Sequence, residues 1–142
     1  MDSSIINRLS GYFHDGYLID IKQSNDKIEI SMESSQMFPD EILEVASQIQ
    51  LSDKHSIRGI LHLEGVKSIR ANHIPLEKLK MKSDVGEILD FDFEGNKIIL
   101  GITWVHDLFK LGMDDYVLYE IEAEIIYWEN IPDLYDPTCD EE

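Results

Sequence analysis

The feature that most constrains this chain is strict alternation of apolar and polar residues. In KIEISME, residues 27–33, Ile28, Ile30 and Met32 fall on one side and Glu29, Ser31 and Glu33 on the other. Side chains of an extended strand point alternately to opposite faces, so this pattern describes a strand with one buried face. The run YLIDIKQ precedes it, and SND between them is a turn-forming cluster; residues 17–23 and 27–33 are expected to form a hairpin. EILDFDF sets Leu89, Phe91 and Phe93 against Asp90 and Asp92, and EGN then turns the chain into KIILGITW, where Ile98, Leu100, Ile102 and Trp104 share a face. In YVLYEIEAEIIYWE, Val117, Tyr119, Ile121, Ala123, Ile125 and Tyr127 are expected on one side and Glu120, Glu122 and Glu124 on the other.

SIRGILHLEGVKSI, residues 56–69, reads as two strands broken near Gly65 or as one bent strand with a bulge there. Helical spacing is scarce. Pro39 and two acids open FPDEILEVASQIQ, where Ile42, Val45, Ala46 and Ile49 recur at helical intervals, so residues 40–50 are expected to be helical. Short helical turns are expected at 3–9 and 75–81. The connections are mostly too short for parallel crossovers. The expected fold class is therefore α+β, mainly β: an antiparallel twisted sheet or two-layer sandwich of six or seven strands with one or two short helices. A length of 142 residues suits one core. Residues 1–132 are expected to form a single β-rich domain, with 133–142 an acidic, mobile tail.

Charge and cysteine content narrow the function. Twenty-nine acids face twelve Lys and Arg, a net charge of −17. Nucleic-acid binding draws most of its affinity from basic side chains replacing counterions, so a nucleic-acid partner is not expected. From Met113 onward there is no Lys, Arg or His, while eleven acids occur. The single cysteine, Cys139, permits no intramolecular disulfide and no zinc framework of the CxxC kind. The residues around it, Asp136, Asp140, Glu141 and Glu142, disfavour a thiolate nucleophile. The start of the chain lacks the pattern of a secretory signal, and no run of 18 apolar residues occurs. A soluble cytoplasmic protein without a membrane contact is expected.

Several residue groups invite a chemical reading. His14-Asp15, between Gly11 and Gly16, is a metal-ligating or acid/base pair in principle, but Asp-Gly is also a turn signal, and the turn is the expected outcome. His106-Asp107 is a second such pair; in an extended segment its two side chains project to opposite faces and do not share one ion. With His62 and Asp114, these four residues, His14, Asp15, His106 and Asp107, are the candidates for a dispersed metal site. No HxH or HxxxH spacing, GxSxG elbow or phosphate-binding glycine loop occurs, so no catalytic residue and no cofactor are assigned. Glu120, Glu122 and Glu124 form a same-face row about 7 Å apart. Such a row is a solvated outer face or a contact surface for a basic partner, with Trp128, Tyr127 and Tyr135 as nearby aromatic anchors.

Four stretches together, FHDGYLIDI, GILHLEGVKSI, GEILDFDF and ILGITW, resemble small acidic β-rich immunity proteins of bacterial polymorphic toxin systems. The resemblance spans residues 11–128 as a pattern of strands, and carries no motif that assigns functional residues. It implies a non-catalytic, protein-binding domain that neutralises a basic toxin. The expected contact residues are Glu120, Glu122, Glu124 and Trp128. A metal-dependent hydrolase or metal-binding protein using the His and Asp residues is the alternative, and an exposed strand edge would permit a homodimer.

Overall fold

Each alternating stretch forms a strand. The computed structural model describes residues 12–34, 49–51, 56–105 and 115–132. They contain β1 (Tyr17–Ser24), β2 (Lys27–Glu33), β3 (Arg58–Ala71), β4 (Ile74–Pro75), β5 (Gly86–Glu94), β6 (Lys97–Trp104) and β7 (Asp115–Asn130). The chain is mainly β, with all seven strands in one antiparallel sheet of order β2-β1-β5-β6-β7-β3-β4. β2 also pairs with β3 along Ile28 to Glu33. That pairing joins one end of the sheet to the other, so six strands close into a barrel and β4 hangs from β3 as a two-residue strand with a free edge.

Closure puts the alternating apolar residues inside. Leu18, Ile28, Ile30, Met32, Leu61, Leu63, Ile88, Ile98, Leu100, Ile102, Trp104, Val117, Tyr119, Ile121 and Ala123 are all buried in one cluster. Interior positions of a barrel this small are filled by side chains, which leaves packing rather than a lumen. The seam between β1 and β5 is narrow: only Tyr17–Glu87 and Leu18–Gly86 pair, extended by bonds between Asp15 and Ile88 and between Ile88 and Gly16. Phe13 plugs this end, stacked on Phe91 and edge-on to Trp128.

The FHDGY stretch is a turn into β1. Asp15 takes a positive φ of 66°, and the Gly16 amide donates to the Phe13 carbonyl over 2.9 Å. Gly16 is needed for a different reason from the one its Asp-Gly context suggests. A Cβ there would lie 2.5 Å from the Glu33 carbonyl oxygen, so the glycine permits close approach of β1's entry to β2.

Three local expectations are corrected. Residues 75–81 form no helix: Pro75 ends β4, and the chain runs on without regular secondary structure, with Leu79 buried and Met81 half-buried between exposed Lys78, Lys80 and Lys82. β3 is a single bent strand, the second of the two alternatives expected for 56–69; Gly65 has a φ of +66° and the register with β7 shifts between Val66 and Ser68. At Gly65 the inward parity of both strands changes, so Ile125 does not join Ala123 in the core. It is 53% exposed. In β5, a bulge at Leu89 makes Ile88 the fully buried residue before Phe91 and Phe93 resume the alternation. The helix expected at 40–50 falls largely, and the turn at 3–9 wholly, outside the described residues, as does the tail 133–142.

Candidate functional site

β7 lies between β3 and β6, and its outward side chains form a continuous external row. Glu120 sits opposite Arg70 of β3 and Ile99 of β6, and Glu122 opposite Ser68 and Lys97. The parity change at Gly65 then exposes Glu124 and Ile125 in succession, after which Tyr127 stands opposite His62.

At the first end of this row Glu120 is engaged within the fold. Its carboxylate receives Lys97 Nζ at 2.8 Å and lies 3.1 Å from His73 Nδ1. The hydrogen bond from Lys97 holds the Glu120 pKa below its ordinary value against the opposing effect of desolvation, with the charges of Lys97, His73 and Arg70 contributing. Lys97 is correspondingly raised, first by that bond and then by the charge of Glu120. His73 reaches Glu120 from a two-residue hairpin turn in which Asn72 and His73 both take positive φ. Asn72 fixes this hairpin to β7, its amide donating to the Leu118 carbonyl and its Oδ1 accepting from the Leu118 amide.

At the other end the ring of His62 lies flat on Tyr127, centroids 4.6 Å apart and planes 6° from parallel. His62 Nε2 is 2.8 Å from Glu129 Oε1. The carboxylate can only accept, so the Nε2–H is the donor, and the buried Nδ1 has no hydrogen-bond partner among the described residues. Tyr127 donates its hydroxyl to Glu64, 3.0 Å away, and Lys27 Nζ lies 3.7 Å from the same carboxylate. This bond raises the Tyr127 pKa, as do desolvation and the nearby charges of Glu64, Glu129 and Glu29. An imidazole, a carboxylate and a phenol are the groups of acid–base chemistry. Here the imidazole is only 7% exposed and stacked beneath Tyr127, which fixes cross-strand packing and does not present it to a substrate.

The residues singled out from sequence divide accordingly. Glu122 and Glu124 are exposed and enter no ion pair among the described residues, whereas Glu120 is paired. Trp128 is corrected as a contact residue: it is 3% exposed, packs edge-on to Phe13 and belongs to the core. Ile125, next to Glu124, is an exposed apolar side chain of this strand, and the sequence pattern alone places it inside. His14 and Asp15 contact each other at 3.2 Å on the surface, both 62% exposed. His62 is engaged elsewhere with Glu129. Among the described residues no three His, Cys, Asp or Glu side chains gather into a group able to hold a metal ion. His106, Asp107 and Asp114 lie outside those residues. No helix among the described residues is long and apolar enough to cross a membrane.

No protein-family model, curated protein or solved structure matches this chain.

Proposed function

We propose that this chain is a non-catalytic protein-binding domain that offers the outer face of β7 to a basic protein partner. The observation that carries the reading is the exposed Ile125 on the same strand as two carboxylates, Glu122 and Glu124, that form no ion pair among the described residues. Binding surfaces gain affinity from a desolvated apolar centre, while surrounding charge speeds encounter and selects the sign of the partner. The net charge of −17 extends the attraction beyond contact range. The resemblance to immunity proteins makes a basic toxin the kind of partner to look for. The metal-dependent alternative has no observation of its own in support, since the surface pair His14 and Asp15 lacks a third ligand among the described residues.

Partner capture at low and high salt tests the reading, using the wild-type chain and a Glu122→Gln/Glu124→Gln variant. A partner retained at low salt by the wild type, released as salt rises and lost from the variant is the expected result. Retention by both chains at every salt concentration removes the role of these carboxylates.

A further inference from the structure

A second surface, opposite in sign, lies on the segment that follows β4. Residues 78–82 read KLKMK. Leu79 is buried and its amide donates to Gln23 Oε1 of β1 over 2.7 Å, which fastens the segment beside the part of β1 that β5 does not pair. Met81 is half-buried, and Lys78, Lys80 and Lys82 all face solvent. Lys67 lines a depression of about 170 Å³ together with Gln23, Val66, Ile69, Leu76 and Glu77. The patch thus joins β1, the β3 bulge and the segment after β4. Lys67, Lys78 and Lys80 enter no ion pair among the described residues, although the protein carries more than twice as many acids as bases.

We infer that this strip docks an extended acidic segment of a protein partner, separately from the acidic face of β7. Alternate residues of an extended chain recur about every 7 Å, so lysines at every second position match acids at every second position of a strand-like peptide. The lining of the depression is mostly polar, and within it the exposed Leu76 offers an apolar contact for one side chain of that peptide. Lysines along an open edge also deter strands from pairing with other chains. That role does not require the depression beside them. A nucleic-acid strand fits less well, because a net charge of −17 repels a long polyanion more than a short peptide with a few carboxylates.

Fluorescence anisotropy with a labelled peptide of roughly twelve residues, alternating glutamate and threonine around one central leucine, tests the inference. Saturable binding that weakens with salt is expected, reduced about tenfold in Lys78→Gln/Lys80→Gln and retained within about twofold in Glu122→Gln/Glu124→Gln. The last variant separates this surface from the one proposed above, so either can fail alone. Absence of saturable binding, equal affinity in the lysine variant, or tighter binding of a single-stranded oligonucleotide of the same length would each overturn it. So would a lysine variant that self-associates in light scattering while keeping its peptide affinity, since the lysines would then be edge guards. A melting temperature unchanged from wild type shows that the variant reports on binding rather than folding.

Discussion

The indole Nε1 of Trp104 donates to the hydroxyl of Tyr119 across 2.9 Å inside the barrel, where both residues are buried. The two rings meet nearly perpendicular, at 87°. Each sits at an inward position, so the pair buries two large aromatic surfaces and satisfies the indole donor, which otherwise has no contact with water. Tyr119→Phe keeps the ring and removes the acceptor. The expected loss is about 1–3 kcal/mol in denaturant unfolding, the usual penalty for orphaning a buried polar group. A variant as stable as wild type would mean that the indole finds another acceptor.

Lys97 and Glu120 make stability depend on pH at both ends of the scale. The folded Glu120 pKa lies below 4.5, so its stabilisation is fully present above that unfolded value and disappears as pH falls through the lower folded one. Lys97 is raised above 10.5, so its contribution is present below that value and disappears as pH climbs through the higher folded one. Lys97→Met retains the aliphatic stem and removes the charge. The difference in melting temperature between wild type and variant is expected to be constant across neutral pH and to shrink below about pH 4. Because the pair is near the surface, that difference is small and falls with added salt. A gap that persists in acid would assign the effect to packing of the stem.

Gly65 governs which β7 residues face out. At a φ of +66° an alanine is strained, and its Cβ would meet the Glu124 side chain at 3.0 Å. Gly65→Ala is therefore expected to cost about 1–2 kcal/mol, and Gly65→Asn less, because asparagine tolerates the left-handed region better. Equal losses in the two variants, measured by chemical unfolding, would locate the cost in contact with Glu124 rather than in the backbone.

These residues also mark how far the sequence carried. Alternation located β1, β2, β5, β6 and β7 because a half-buried strand leaves a period of two wherever pairing is regular. It misplaced Ile125 because the parity change comes from a backbone angle at Gly65, on the neighbouring strand, and from a register shift between Val66 and Ser68. Leu89 was assigned to the buried face for a similar reason, a bulge in β5. The helical turn expected at 75–81 does not form: Leu79 is buried, and its amide donates to Gln23 of β1 rather than within a helix. Barrel closure is not written locally at all: it depends on β3 being long enough to pair β2 at its start, β4 at its end and β7 along its length. Trp128 looked like a surface anchor among acids, and only the placement of Phe13 against it reveals it as core. Glu122 and Glu124 were legible as outward residues, but the neutralisation of Glu120 was not, because Lys97 and His73 come from distant segments.

The contrast between Ile125 and Trp128 separates binding from folding. Trp128 is packed against Phe13 and occupies the space beside Gly59, where an added Cβ would lie 2.7 Å from the indole. Truncating it to alanine removes a buried aromatic and is expected to cost about 3–5 kcal/mol. Ile125 already faces water, so Ile125→Ser is expected to change stability by no more than about 0.5 kcal/mol. Both substitutions are expected to reduce capture of a basic partner, Trp128→Ala through a lowered melting temperature and Ile125→Ser at an unchanged one. Paired melting and capture measurements distinguish the two routes. If Ile125→Ser retains the partner at wild-type level, the apolar centre of the interface lies off β7, and the unpaired carboxylates Glu122 and Glu124 serve only to steer.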